Sequence, residues 1–211
     1  MKTLIIDYNG PIIDANNFFE DRSRRIAKIF RAKWTKVFQN KWENLYIDLS
    51  AGKISIAEYY KKIAKSLNKK IKGDEDKKFI QYEKLSDKNV LIYLETLKKN
   101  FNSKLKIGLI SNYVEHWVIA VLEKHNLKQY FDKIIVSDKI KMRKPDIKIY
   151  KLAAKMINAK TQNCVYVGDT LDDLEGASAV GMEAVFIRGE DKSSHGYPII
   201  KNLGEVEKYL R

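Results

Sequence analysis

Five short apolar runs, each bounded by turn residues, constrain this chain more than any other feature of it. Thr3-Leu4-Ile5-Ile6 stops at Asp7-Tyr8-Asn9-Gly10-Pro11. Residues 105–110 stop at Ser111-Asn112, residues 133–136 at Ser137-Asp138, and residues 164–167 at Gly168-Asp169. The fifth, residues 184–187, follows Gly181. Each run is nearly continuous in apolar residues rather than alternating, as in parallel strands covered on both faces. Helical periodicity lies between them, over residues 114–125, 146–157 and 171–180. Strands that alternate with helices predict an α/β fold, a doubly wound, Rossmann-like parallel sheet.

Residues 15–88 follow a different rule. Phe18, Phe19, Ile26, Ile29, Phe30 and Val37 fall near one helical face. Trp42, Leu45, Tyr46 and Leu49 repeat at helical spacing, and Ile56, Tyr60, Ile63 and Leu67 form another stripe. Ala51-Gly52 and Lys72-Gly73 punctuate them. The pattern predicts a small all-helical insertion after the first strand, with residues 1–14 and 89–211 forming the α/β core. The aromatic stripes are read as the core of the insertion. The same insertion carries 19 Lys/Arg against 10 Asp/Glu, a net of +9 within a chain total of +13. Such an excess could draw an anionic substrate or a nucleic acid. Solvated lysines coating helices are the simpler reading, and nucleic acid is not the expected partner.

No apolar run reaches the ~18 residues a membrane-spanning helix requires. The first 13 residues are interrupted by Asp7 and Asn9 and are not followed by a small-residue cleavage site, so no secretory signal and no membrane association are expected. The one cysteine, Cys164, excludes an internal disulfide and fits a reducing, cytoplasmic setting, where it reads as a buried strand thiol. Residues 189–197 read as an exposed loop carrying His195. His116 lies five residues beyond Ser111, near a possible site mouth, but it and His125 are read as helix-surface residues.

In an open parallel sheet, ligands bind beyond the carboxyl ends of the strands, where the strand order reverses. Asp7, Ser111 and Asp169 each stand at or just past such an end, so the fold would gather three suitable groups at one rim. Here four stretches resemble, in order, the motifs of the haloacid dehalogenase superfamily. Leu-Ile-Ile-Asp7-Tyr-Asn9-Gly10 resembles the first, Gly-Leu-Ile-Ser111-Asn112 the second, and Lys144-Pro145-Asp146 the third. Val-Gly168-Asp169-Thr-Leu-Asp172-Asp173-Leu-Glu-Gly176-Ala177 resembles the fourth. The resemblance implies a nucleophilic Asp7, phosphate binding by Ser111 and Asn112, and a Lys144 that neutralises both phosphate and nucleophile. It also implies a Mg²⁺ site built from Asp7, the Asn9 backbone, Asp169 and Asp173, a helical cap, and a small phosphorylated substrate. The physical chemistry agrees. A phosphate dianion repels a carboxylate, and Mg²⁺ needs only one or two protein carboxylates beside substrate oxygens and water. Asp173 falls four residues after Asp169, on the same helical side, as a metal ligand or a support behind one, whereas Asp172 points elsewhere, into solvent.

One departure from the family pattern matters. Phosphatases of this superfamily carry a second aspartate two residues after the nucleophile, where this chain has Asn9, and Pro11 stands where Thr is frequent. An amide can hydrogen-bond a leaving oxygen but cannot give or take its proton, and general acid–base catalysis contributes about 10²–10⁴-fold. The expectation is therefore a slow or specialised phosphohydrolase suited to good leaving groups. The alternatives are a metal- and phosphate-binding module without useful turnover, or a haloacid dehalogenase. The last fits poorly, because halide displacement needs no Mg²⁺ and those enzymes differ at the fourth motif.

Overall fold

In the first strand, β1 (Thr3–Asp7), alternate residues enter different cores. Leu4 and Ile6 join one apolar cluster and Ile5 joins a second on the opposite face, which is why the run is continuously apolar. The computed structural model describes residues 2–187 and 195–211. With β1 in one sheet stand β2 (Ile107–Ser111), β3 (Lys133–Val136), β4 (Cys164–Gly168), β5 (Glu183–Ile187) and the two-residue β6 (Ile199–Ile200). Every pairing is parallel and the order is β3-β2-β1-β4-β5-β6. The sheet grows one way from β1 through β3, then returns to β4 on the other side of β1. That reversal opens a crevice beyond the carboxyl ends of β1 and β4. The α/β expectation holds. β6 was not foreseen, because Ile199-Ile200 is too short to show a pattern.

Ten α-helices are described. Between β1 and β2 run α1 (Phe18–Ile29), α2 (Lys36–Ser50), α3 (Ile56–Ser66), α4 (Glu75–Tyr82) and α5 (Val90–Asn100). After them come α6 (Glu115–Lys124), α7 (Ser137–Ile140), α8 (Ile147–Met156), α9 (Leu171–Ser178) and α10 (Glu207–Leu210). None is long and apolar enough to cross a membrane. Val37 departs from the expected stripe and is 65% exposed. The Thr35 side chain accepts from Phe38 N–H at 3.1 Å and starts α2, so Val37 sits in the first turn of a new helix rather than in phase with α1. Cys164 is buried in β4, and burial pushes its thiol up to about 11. Residues 189–194 of the expected loop lie outside the described residues, while His195 beside them is exposed.

The chain enters and leaves the helical segment side by side. Asp14 N–H donates to Lys84 C=O and Ser86 N–H to Ile12 C=O, both at 3.0 Å, beside a bridge from Ile13 to Leu85. Above this neck the helices share one apolar cluster with a face of the sheet: Trp42, Tyr59 and Phe79 belong to the cluster that also holds Leu4 and Leu109. The aromatic stripes are core, as read, except that Phe19 is 41% exposed. Within that cluster sits an ion group the sequence did not reveal. Arg22 is fully buried, with Nη2 donating to Glu83 Oε2 at 3.0 Å and Nε to the Tyr113 hydroxyl at 3.3 Å. Arg25 donates to the other Glu83 oxygen at 3.1 Å.

Removing one partner from a buried ion group leaves uncompensated charge, which costs about 3–5 kcal/mol. Glu83→Ala is therefore expected to lower unfolding stability by about that amount. Lys62→Ala, which breaks the exposed Lys62–Glu58 pair on α3, should change it little. Urea denaturation of both variants checks the contrast.

Candidate active site

The strand ends that flank the crevice bring most of the expected residues together. Asp7, at the end of β1, is almost fully buried. Its Oδ2 lies 2.6 Å from Lys144 Nζ, and its Oδ1 has no hydrogen-bond partner. Lys144 Nζ also meets Asp173 Oδ2 at 2.8 Å and the Tyr166 hydroxyl at 3.2 Å. An ammonium has three protons, and here three oxygens surround it.

Asp169 reaches this group from the end of β4. A Cβ built on Gly10 would fall 2.1 Å from Asp169 Oδ2, so the carboxylate lies directly against the loop after β1. Gly10 has φ +82°, a left-handed conformation that also favours glycine. Asp173 follows on α9, one helical turn after Asp169, and its carboxylate pairs with Lys144. Asp172 between them is exposed, as expected. Asn9 also lines the crevice, and its side-chain oxygen is buried without a partner.

Ser111, at the end of β2, is fully buried with a hydroxyl that likewise lacks a partner. The Asn112 side chain has a different local task. Its Nδ2 donates to Lys144 C=O and its Oδ1 accepts from Lys144 N–H, both at 2.9 Å, so one amide clamps the lysine backbone. Its Nδ2 carries a second N–H, so a substrate contact need not replace either bond. His116 stands apart: it is 60% exposed and pairs with Asp76 Oδ2 at 2.6 Å, outside the crevice.

Charge explains the electrostatics. Burial pushes the Asp7 carboxyl well above the usual range, Lys144 opposes this, and Asp173 and Asp169 add to it. Burial also works against the Lys144 ammonium, but Asp173 and Asp7 outweigh it and hold its pKa above the ordinary lysine value. Asp7 and Asp173 on one ammonium, with Asp169 adding its charge beside Asp7, leave the group negative, so it favours a cation or a proton. Among the described residues, no three His, Cys, Asp or Glu form a ready metal cage. Asp7 and Asp169, with backbone oxygen beside them, offer only hard oxygen donors, the type that Mg²⁺ takes in small number.

The crevice holds about 260 Å³. Ala15, Phe18, Phe19 and Tyr46 line it from the helical segment, and Arg143 and Thr170 from the core. Sequence reading missed Phe18, Phe19 and Tyr46 as site residues because their helical spacing already explained them as core, and Ala15, Arg143 and Thr170 carry no pattern that marks them. Tyr166 was missed too. Its signal was one tyrosine inside an apolar strand, two residues before Gly168.

Comparison with known proteins gives a consistent picture. A family model described as haloacid dehalogenase-like hydrolase matches residues 4–187. Over 195 residues the chain is 24% identical to a phosphorylated carbohydrates phosphatase from Thermotoga maritima, covering 88% of this chain and 84% of that one. It is 33% identical over 100 residues to the drimenol cyclase drtB of Aspergillus calidoustus, 47% of this chain but only 19% of that protein. Among solved structures, a haloacid dehalogenase family enzyme from Bacteroides thetaiotaomicron, in complex with magnesium and inorganic phosphate, superposes with a TM-score of 0.69 at 20% identity. That match covers 92% of this chain and 98% of the other.

If Lys144 is what makes the buried acids tolerable, replacing it by Met, of similar length, leaves Asp7 and Asp173 facing each other without a cation. A loss of about 3–5 kcal/mol is expected at neutral pH. In Lys144→Met the Asp7 carboxyl, already raised by burial, loses the cation that opposes the rise, so its folded pKa lies above the unfolded value, the folded state binds more protons and stability rises as pH falls. The gap to wild type should therefore narrow from neutrality toward pH ~4, near the unfolded aspartate pKa. Urea denaturation across that range checks it; a gap that widens toward acid would contradict it.

Proposed function

We propose, from the premise that this chain belongs to the haloacid dehalogenase-like hydrolases, that it is a Mg²⁺-dependent phosphohydrolase acting on a small phosphorylated compound. The observation that carries this reading is Asp7, buried at the end of β1 with one oxygen on Lys144 and the other without a partner. The phosphatase relative from Thermotoga maritima and the magnesium and phosphate in the Bacteroides structure support it. We take residues 15–88 as the cap.

In this reading a partnerless carboxylate oxygen on a rigid strand end is the nucleophile. Lys144 holds Asp7 in place and offsets charge as the phosphoryl group approaches. Ser111, with its unpaired buried hydroxyl, donates to a phosphate oxygen. Attack of Asp7 on phosphorus breaks the bond to the leaving oxygen, which departs with the electron pair, and water then cleaves the aspartyl phosphate. The donor set fits the metal: Asp7, the Asn9 carbonyl and Asp169 would hold Mg²⁺, with Asp173 behind them through Lys144. Bound Mg²⁺ neutralises phosphate charge and polarises the phosphoryl group.

Asn9 makes the reaction selective. It hydrogen-bonds but moves no proton, so leaving groups that depart as stable anions are favoured. Asp7→Asn should reduce turnover of acetyl phosphate and p-nitrophenyl phosphate to the protein-free rate. Asn9→Asp should raise kcat on alkyl phosphates by roughly ten- to a thousandfold, at or below the usual general-acid contribution, and the gain should vanish in the Asp7→Asn/Asn9→Asp double variant. Asn9-Gly10 is prone to deamidation, so the wild-type peptide is checked by mass for a one-dalton increase. Undeamidated wild type as fast as Asn9→Asp on alkyl phosphates would assign the proton transfer to another group.

The ion is tested without turnover. Mg²⁺ competes with protons for the carboxylates, so the rise in Tm at fixed Mg²⁺ should be larger at pH 8 than at pH 5. Asp169→Ala should abolish it. No response in wild type, with phosphate present, would remove the metal from this account.

A further inference from the structure

We propose that the natural substrate is an aryl phosphate monoester, its leaving group a single aromatic ring with few or no hydroxyls beyond the ester oxygen. This rests on the phosphohydrolase reading above and deepens it. Two independent features point the same way.

The first is the wall facing the phosphate end of the crevice. Of the helical residues lining it, Ala15, Phe18 and Phe19 have no polar side-chain atoms. The hydroxyl of the fourth, Tyr46, already donates to Asn112 C=O at 2.7 Å. Arg143 Nη1 is engaged by the Ser50 hydroxyl and by Ile47 C=O at the end of α2. On this wall only the Tyr46 oxygen, as an acceptor, and the remaining N–H groups of Arg143 could meet hydroxyls, so most of a polyhydroxylated body would lose water without gaining partners, a penalty for each unsatisfied group. A flat ring meets instead Phe18 and Phe19, which contact edge to face at 5.2 Å, and Tyr46, 5.4 Å from Phe18. Phe19 is 41% exposed, an aromatic surface at the crevice with room for another ring. The volume of about 260 Å³ lies below the ~300 Å³ at which pockets for drug-sized ligands begin, so the ligand is small.

The second feature is Asn9. Without a proton donor there, the P–O bond breaks with its electron pair left on the departing oxygen. A phenol, with a pKa of ~10, tolerates this far better than an alcohol, whose pKa is close to the ~15.7 of water. Asp7 takes the phosphoryl group, phenolate leaves unprotonated and collects its proton from solvent. Water then converts the aspartyl phosphate to inorganic phosphate, releasing a proton to bulk. The wall and the missing acid thus select one leaving group, planar, apolar and stable as an anion.

Aryl esters are intrinsically reactive, so recognition is tested by binding. With Mg²⁺ present, phenylphosphonate and methylphosphonate are titrated into the protein by calorimetry. Phenylphosphonate should bind roughly tenfold tighter, and Phe19→Ala should shrink that ratio to about twofold, in line with the scale of one ring contact. In parallel, kcat/KM is measured for phenyl phosphate and glucose 6-phosphate. Equal binding of the two phosphonates, no binding of either, or a preference for glucose 6-phosphate would overturn the aryl assignment. If such a preference disappears in Asp7→Asn, the phosphohydrolase reading survives that loss. Tight, Phe19-dependent binding of phenylphosphonate with no turnover of any phosphate would instead support the aryl site and sink the hydrolase.

Discussion

Burying Lys144 between Asp7 and Asp173 takes three ions out of water, at an effective penalty of several kcal/mol for each. Such a cluster does not stabilise a fold, so the surrounding structure must hold it in place. Two apolar cores, one on each face of the sheet, fix the ends of β1 and β4, and β2 carries Asn112 to the lysine backbone. Tyr166 supplies the third acceptor from within β4. Its ring also leaves no space for a side chain at position 168, where a Cβ would fall 2.8 Å from Tyr166 Cε1. Tyr150 does the same at Gly176, with its hydroxyl on Asp173 C=O at 3.0 Å. The two glycines of the fourth motif are thus tied to the tyrosines beneath the ion cluster.

The helical segment is fixed by contacts of the same kind. The C-terminal half of α2 reaches three core loops: Tyr46 to Asn112, Ser50 C=O to the Ser137 hydroxyl at 2.5 Å, and Ser50 with Ile47 to Arg143. These loops follow β2, follow β3 and precede Lys144. The aromatic wall and the ammonium are therefore positioned by one set of backbone contacts, and a shift of α2 would move both. Arg22 adds a second constraint. Its guanidinium lies 4.0 Å from the centre of the Phe18 ring and pairs with Glu83 near the neck.

Strands and the helices after them were legible because each pattern is local. An apolar run ending in turn residues needs no partner to be recognised, and the expected strands differ from the observed ones only at their ends. What escaped depends on distant chain. Helix α4 has few buried apolar residues, Phe79 chief among them, and α7 has four residues in all, so neither carries a periodic stripe. Asp173 was placed on the correct side of its helix by spacing alone, but that its carboxylate meets Lys144 follows from the approach of α9 to the loop before α8. Asn112 and Tyr166 act on a residue more than 20 positions away, which no local pattern encodes. Arg22 and Glu83 looked like ordinary surface charge within a lysine-rich segment.

The same electrostatics gives a reason for an amide at position 9. Asp7 and Asp173 already share one ammonium, Asp169 adds its charge beside Asp7, and Asp7 is held above the usual carboxylate range. A carboxylate two residues beyond Asp7 would add to the causes that raise it, so on the proposed reading Asn9→Asp brings both a proton donor and a more negative cluster. On that reading Asn9 keeps hydrogen-bonding capacity at the leaving oxygen while leaving the cluster one charge less negative. The two effects of that carboxyl oppose each other, which sets the gain expected of Asn9→Asp at or below the usual general-acid contribution. With the amide in place, the choice of leaving group must supply, on the proposed reading, what the missing proton would have done.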